Sequence, residues 1–211
     1  MSNVFDQIGR LKLIPVVSID NAEDAGPLGD ALSAGRLPIV EVTFRTSAAE
    51  SAIRTLCSRG DLLVGAGTVL SVEMAQGARD AGATFAVSPG LNPKVVEWCL
   101  KNSLPIIPGA VTGTEIEAAL ELGIKVVKFF PSEPMGGIKA MQLLGGPYPM
   151  IRFVPTGGVG PDNLQSYLRT SNVLACGGSW MAPRDMIKSQ EFGKITELVR
   201  SAVDQVSKTN G

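Results

Sequence analysis

Short apolar runs rich in Val and Ile recur along the chain, and amphipathic stretches separate them. Eight of these runs have the length and composition of buried strands. They cover residues 14–19, 38–44, 62–69, 85–90, 105–111, 126–131, 152–158 and 173–180. The runs start roughly every 20 to 26 residues, which is about the length of one strand–helix unit. The pattern therefore predicts eight strands that alternate with helices.

The stretches between the runs are typical of helices. Several of them end in Gly directly after their last apolar turn, which is a common helix stop signal. Ser47, Ser71, Asn92 and Thr114 are the predicted N-caps. We also expect a short N-terminal helix, and an amphipathic final helix over 191–208.

Eight strands alternating with eight helices favour an α/β fold, and within that class a single compact (β/α)₈ barrel over residues 1–211. The alternative is a doubly wound open sheet. A dinucleotide-binding version of that sheet is disfavoured, because the stretch "GAGTVL" lacks the third glycine of the GxGxxG motif.

Composition excludes several classes of function. The chain has 211 residues, of which 45% are hydrophobic, and a formal net charge of -1. We therefore expect no nucleic-acid partner and no membrane partner. The sequence contains no histidine, which removes Ser-His-Asp catalysis and most zinc or iron sites, and we predict neither a metal nor a cofactor. The three cysteines are far apart, and we expect a cytoplasmic protein with buried thiols.

A lysine interrupts the apolar run "IKVVKFFPSEP". Strand alternation predicts that Lys128 points to the interior while its apolar neighbours face the helices. The same alternation in "IVEVTFRT" places Glu41, Thr43 and Arg45 on the inner side. One interpretation is structural: Glu41 pairs with Arg45, or Lys128 extends from a strand end or pairs with Glu41.

The other interpretation is catalytic. An apolar pocket destabilises the ammonium of a lysine, and a neutral amine can attack a ketone and form a Schiff base. The protonated imine then serves as an electron sink for making or breaking a C–C bond. Such chemistry needs one further acid–base group, for which Glu41 is the candidate, and it needs no metal.

Glycine pairs follow the last two predicted strands, in "PTGGVGPDN" and "CGGSWMAP". The loops after strands seven and eight of a barrel often bind phosphate through backbone N–H groups. The candidates are Gly157, Gly158, Gly177, Gly178 and Ser179. Thr68 and Pro89, at the ends of strands three and four, are weaker candidates, since each is also ordinary in a strand or a turn.

Eight stretches together resemble the family of bacterial 2-keto-3-deoxy-6-phosphogluconate (KDPG) aldolases and 4-hydroxy-2-oxoglutarate (KHG) aldolases. They are "EVTFRT", "VGAGTVL", "FAVSPGLNP", "PIIPGAVT", "VKFFP", "GGIKAMQLLGGPY", "RFVPTGGV" and "GGSWM". They fall in order and span nearly the whole chain. The resemblance implies a (β/α)₈ barrel, usually a homotrimer, and a metal-independent class I aldol reaction through a lysine Schiff base.

The resemblance also implies roles for individual residues. Lys128 would form the imine, and Glu41 would relay protons through water. The remaining roles are Arg45 and Thr68 near the pyruvate carboxylate, Pro89 and Phe130 along the pyruvate pocket, Gly157, Gly158, Gly178 and Ser179 at the phosphate, and Thr156 at a substrate hydroxyl. An apolar residue in place of Thr156 is typical of the galactonate-type relatives, so "PTGGV" favours the gluconate type. Phe44 and Met135 depart from the usual family residues.

We therefore expect a carbon–carbon lyase that cleaves 2-dehydro-3-deoxy-6-phospho-D-gluconate to pyruvate and D-glyceraldehyde 3-phosphate. Alternatives with the same machinery are aldolases for 4-hydroxy-2-oxoglutarate or for the galactonate epimer. A phosphosugar isomerase or epimerase would exchange protons without cleaving a C–C bond. A non-catalytic binder of phosphorylated ligands would use Lys128 only as a charge partner.

Overall fold

Strands and helices alternate along residues 4–209, which are the residues that the computed structural model describes. The strands are β1 (Leu13–Val17), β2 (Ile39–Thr43), β3 (Leu63–Gly67), β4 (Phe85–Val87), β5 (Ile106–Ile107), β6 (Val126–Phe129), β7 (Arg152–Pro155) and β8 (Cys176–Gly178). Each predicted apolar run overlaps one of these strands, and seven of the eight runs contain their strand whole, so the strand predictions are confirmed; β1 begins one residue before its run. All eight runs extend beyond the carboxyl end of their strand, because their last residues belong to the loop that follows.

Ten α-helices fill the intervals in the described part of the chain. They are α1 (Val4–Leu11), α2 (Ala25–Ala34), α3 (Ala49–Ser58), α4 (Val72–Asp80), α5 (Pro93–Lys101), α6 (Gly113–Glu121), α7 (Gly137–Gly145), α8 (Leu164–Leu168), α9 (Arg184–Lys188) and α10 (Phe192–Thr209). Short 3₁₀ helices span Ala22–Asp24 and Glu133–Met135. The sequence analysis did not predict α9, a helix of five residues between β8 and α10.

Two of the four predicted N-caps are confirmed. The side chains of Ser71 and Asn92 accept hydrogen bonds from backbone N–H groups in the first turns of α4 and α5. The prediction for Thr114 is wrong: Thr112 caps α6 and forms a capping box with the glutamate three residues later. The prediction for Ser47 is also wrong, since α3 begins after an alanine that makes no side-chain cap.

All paired strands of the described chain are parallel. Six of them form one sheet in the order β5-β4-β3-β2-β1-β8, and β6 pairs with β7 in a second sheet. Isolated parallel bridges link Gly109 to Lys128, Phe153 to Val173, and Thr156 to Gly177. The fold is therefore an α/β fold with parallel strands, and the bridges join the two-stranded sheet to both edges of the six-stranded one.

The strands are covered on both faces. Every residue of β1 and of β2 is buried, as expected for parallel strands whose crossover helices pack on the sheet. One hydrophobic cluster runs through strands and helices alike. Because the strands are parallel, their carboxyl ends all lie on one side of the sheets. None of the helices described here combines the length and the apolar character that a membrane crossing requires.

Candidate active site

A cavity of about 240 Å³ lies at the carboxyl ends of the strands. Its walls come from seven of the eight strands or from the loops that directly follow them. The lining residues are Val16, Thr43, Arg45, Thr68, Pro89, Lys128, Phe130, Thr156, Gly157, Gly158, Val159, Gly178 and Ser179. This set includes every site residue predicted from the sequence except Gly177 and Glu41. Glu41 contacts the cavity through Lys128.

Lys128 and Glu41 form a buried ion pair. The Nζ atom of Lys128, near the end of β6, donates to Oε1 of Glu41 in the middle of β2 at 3.2 Å. The side chains are only 8% and 2% exposed, respectively. A second contact places the Nζ atom 5.4 Å from the ring centroid of Phe130. A cationic and an anionic side chain thus share a nearly dry interior, within hydrogen-bond distance of each other.

The structural interpretation of the sequence included a pair between Arg45 and Glu41. The structure does not contain this pair. Its Nε atom instead donates to Oγ1 of Thr43 at 3.2 Å. Arg45 is exposed beyond the end of β2, whereas Glu41 is buried in the interior. β2 and the loop after it therefore present different chemistry: a buried acid–base group in the middle of the strand, and a cation at the mouth of the cavity.

Thr68 has a backbone conformation that threonine rarely adopts. It directly follows β3, and its φ angle is +59°. This left-handed conformation is a genuine outlier for a β-branched residue, with a cost of about 1–3 kcal/mol that the surrounding structure must offset. The turn places Thr68 on the cavity wall, so the strain accompanies a side chain that faces the candidate site.

The glycine-rich loop after β7 is hydrogen-bonded to the segment after β6. Gly157 and Gly158 have φ angles of +88° and +86°, which only glycine adopts easily. The N–H of Ser132 donates to the carbonyl of Thr156, and that of Glu133 donates to the carbonyl of Gly157. The carbonyl groups of the loop are therefore tied to the segment after β6, on the side away from the cavity that the glycines line.

A buried tyrosine supports the same segment. The hydroxyl of Tyr167 in α8 is hydrogen-bonded to Ser132 Oγ at 2.9 Å, and it also donates to Glu133. Burial, and then the hydrogen bond with Glu133, raise the pKa of Tyr167 to about 12. The phenol thus stays protonated and continues to donate throughout the physiological range.

The hydroxyl of Thr156 is buried, and Oγ1 has no hydrogen-bond partner within residues 4–209. A buried hydroxyl without a partner is unfavourable by a few kcal/mol. Its immediate neighbour is Gly177, where a Cβ would lie 2.5 Å from Oγ1. Thr156 also lines the cavity, so the wall of the candidate site contains a buried oxygen without a partner among the described residues.

Three lining residues were not among the predicted site residues: Val16, Thr43 and Val159. Strand alternation had placed Thr43 on the inner side, but it had assigned no role to that residue. The two valines carry no polar group that a sequence analysis could select. Within residues 4–209, no group of three or more His, Cys, Asp or Glu side chains is placed to hold a metal ion.

Comparison with known proteins identifies the family. The sequence profile of the KDPG and KHG aldolases matches residues 4–198. The chain belongs to this aldolase family.

Individual aldolases of the family are closely similar. A 2-dehydro-3-deoxy-phosphogluconate aldolase from Treponema pallidum is 50% identical over 207 residues, which is 98% of this chain and 99% of the relative. One from Haemophilus influenzae is 45% identical over 202 residues, 95% of each chain. The crystal structure of the KDPG aldolase from Legionella pneumophila, with pyruvate captured at low pH as a covalent carbinolamine intermediate, has a TM-score of 0.89 at 38% identity. That match covers 93% of this chain and 98% of the other.

Proposed function

We propose that this protein is a class I aldolase that cleaves KDPG to pyruvate and D-glyceraldehyde 3-phosphate. The observation that carries the proposal is the buried pair of Lys128 Nζ and Glu41 Oε1, 3.2 Å apart at the base of the cavity. This pair supplies both a nucleophile and an acid–base group. Membership of the KDPG and KHG aldolase family supports the same reaction, as does the captured carbinolamine in the relative from Legionella pneumophila.

The first step forms an imine on Lys128. The amine must lose a proton before it can attack the C2 ketone, and the hydrogen bond to Glu41 provides a direct path for that proton. Attack gives a carbinolamine, and loss of water, aided by a proton from Glu41, gives the iminium. The positive nitrogen then lies beside the face of the Phe130 ring, where cations are favourably placed.

The second step breaks the C3–C4 bond. Glu41, again a carboxylate and acting through water, removes the proton of the C4 hydroxyl. The electron pair of the bond moves into the iminium, and the aldehyde leaves. The remaining enamine is protonated at C3, and hydrolysis of the imine releases pyruvate and restores the amine. The proton removed from the C4 hydroxyl is balanced by the proton added at C3, and the water lost in forming the imine is taken up again in its hydrolysis, so no step requires an oxidant.

Arg45 is placed to orient the substrate carboxylate. Among the lining residues only Arg45 and Lys128 are cationic. Since Lys128 is committed to the ketone, the carboxylate pairs best with the guanidinium of Arg45, and the hydroxyl of Thr68 can add a hydrogen bond. When the substrate is held at its carboxylate and at its phosphate, C2 is oriented over the amine of Lys128, and this positioning lowers the barrier of the reaction.

The opposite end of the cavity suits a phosphate group. Gly157, Gly158, Gly178 and Ser179 line it with backbone N–H groups and one hydroxyl. Backbone donors in such concave loops bind anions without a cationic side chain. We propose that this end holds the substrate phosphate.

The unpaired hydroxyl of Thr156 favours KDPG over shorter substrates. A sugar acid with hydroxyl groups between its ketone and its phosphate can bond Oγ1, which is otherwise buried without a partner. An aldolase that prefers 4-hydroxy-2-oxoglutarate or the galactonate epimer would keep the same catalytic pair. The values of kcat/KM for the three substrates separate these alternatives, and we expect KDPG to rank first.

Borohydride trapping with pyruvate tests the proposal. A reduced pyruvate adduct on Lys128, located by peptide mass mapping, is the expected result. Lys125 is the matched control, because it lies in the same segment but is exposed. An adduct on another lysine would overturn the assignment of Lys128. A folded protein that forms no adduct, while a known class I aldolase is labelled, would overturn the class I mechanism.

We further propose that residues 1–211 form one domain whose eight strands close into a single barrel. The isolated bridges at both edges of the two-stranded sheet support closure.

A homotrimer, as the family resemblance implies, is supported by the exposed apolar side chains of Leu143 and Met150; light scattering would test it. The cysteines are unpaired, which suits the reducing cytoplasm.

A further inference from the structure

One hydroxyl at the end of β2 makes three hydrogen bonds. The Oγ1 atom of Thr43 lies 2.9 Å from the carbonyl oxygen of Val17, 2.8 Å from Oγ of Ser18 and 3.2 Å from Nε of Arg45. Both hydroxyl residues are buried, with Thr43 only 2% exposed and Ser18 8% exposed. The network therefore runs from the end of β1, through β2, to the guanidinium at the mouth of the cavity.

The chemistry of the partners fixes the direction of every bond. A hydroxyl has one hydrogen to donate and two lone pairs that accept. The carbonyl of Val17 can only accept, so the hydrogen of Thr43 points to it. The Nε–H of Arg45 can only donate. The remaining lone pair of Thr43 must then accept from Ser18, and all three positions of the Thr43 hydroxyl are occupied.

The hydrogen bonds of Thr43 restrict the position of the Arg45 side chain. Within residues 4–209, the bond to Thr43 is the only hydrogen bond of the guanidinium, and Arg45 forms no ion pair there. The side chain is otherwise exposed and has many rotamers of similar energy. With Nε engaged, both Nη groups remain available, and they can bind the two oxygens of a carboxylate as parallel bonds.

We propose that Thr43 is a positioning residue for substrate binding, and that Ser18 fixes the orientation of the Thr43 hydroxyl through their hydrogen bond. Together they hold Arg45 so that its two Nη groups meet the carboxylate of the 2-oxo acid. This inference rests on the proposed function, because it requires a carboxylate at Arg45. Neither residue forms a bond to the reacting atoms.

The first test compares Thr43→Val with Thr43→Ser. Valine has nearly the shape of threonine but cannot accept from Arg45, so we expect KM for pyruvate in imine formation to rise roughly fivefold to tenfold, the effect of one hydrogen bond of ordinary net strength. The rate of imine formation at saturating pyruvate should change less than twofold. Serine retains the hydroxyl and should restore KM.

Ser18→Ala supplies a variant that leaves the cavity wall intact, since Ser18 does not line it. Any effect on KM must then pass through Thr43, and we expect a rise of roughly twofold to threefold. This variant also keeps the test decisive if valine at 43 impairs folding. An unchanged KM in both folded variants would overturn the proposal.

A double-mutant cycle separates positioning from a direct contact of Thr43 with the substrate. In an Arg45→Ala background, Thr43→Val should have no further effect on KM. An equal effect in both backgrounds would mean that Thr43 acts without Arg45 and would overturn the inference, while the aldolase function stands. Failure of the wild-type protein to form any imine with pyruvate would overturn both the proposed function and this inference.

Discussion

Gly67 lies directly against the carboxylate of Glu41. A Cβ atom at position 67, built on the observed backbone, would lie 2.3 Å from Oε1 and 2.7 Å from Cγ of Glu41. Both residues are on neighbouring strands, since Gly67 ends β3 beside β2. The missing side chain at Gly67 thus provides the space in which Glu41 reaches Lys128.

Gly67→Ala should therefore impair catalysis more than folding. The methyl group must displace the Glu41 carboxylate from Lys128, so we expect kcat for KDPG cleavage to fall at least about tenfold, a part of what a positioned acid–base group contributes. Gly193→Ala is the control, because a Cβ there would meet nothing within 4 Å. Equal kcat values for the two variants would contradict the placement of Glu41.

Thr68→Gly should separate stability from activity. Glycine adopts a φ angle of +59° without strain, so we expect the free energy of unfolding to rise by up to about 1 kcal/mol after the entropic cost of glycine. The loss of the hydroxyl should raise KM for pyruvate. Thr68→Ser, which keeps the hydroxyl, should retain KM. Urea unfolding and imine kinetics measure the two effects, and a less stable glycine variant would contradict the strain at this turn.

Gly178→Ala should weaken binding of the phosphate end alone. A Cβ at position 178 would lie 1.7 Å from Cζ3 of Trp180, so the indole must move. We expect KM for KDPG to rise at least about tenfold, because binding of a remote phosphate contributes to the reaction. Exchange of the methyl protons of pyruvate with solvent, which needs no phosphate, should change less than twofold. Parallel losses in both assays would place the effect of Gly178 elsewhere.

Stability should fall at alkaline pH because three buried acids are held protonated. Burial raises the pKa of Cys99 to about 11 and that of Cys176 to about 12, and Tyr167 also titrates at about 12. The ordinary pKa values are 9.0 for cysteine and 10.0 for tyrosine. The folded state therefore binds these protons more tightly than the unfolded state does.

This stabilisation is complete below about pH 9 and is lost progressively as the pH rises toward 12. Urea midpoints measured from pH 7 to 11 should decrease across that window. In Cys176→Ala the decrease should be shallower, since one of the three titrations is gone, even though the variant is less stable at pH 7 through the altered core. A decrease as steep as that of the unaltered protein would contradict the burial of this thiol.

Much of the strand order and of the candidate site could be predicted from the sequence. The apolar runs located every strand, because buried parallel strands need continuous apolar segments on both faces. Alternation along "IVEVTFRT" and "VVKFFP" placed Glu41 and Lys128 in the interior, since successive side chains in a strand point to opposite sides. The partner of Arg45 could not be predicted in this way, because its contact depends on where the strand ends.

Local chemistry therefore determined which residues could act, and tertiary structure decided which of them meet. The sequence by itself specified an apolar run broken by one lysine, glycine pairs after two strands and a glutamate among valines. Only the folded chain brings Glu41 to within 3.2 Å of Lys128, 87 positions away, or turns Thr68 into a left-handed conformation. The physical reason is that such contacts depend on the register between strands and on packing around each backbone turn, which no short stretch of sequence contains.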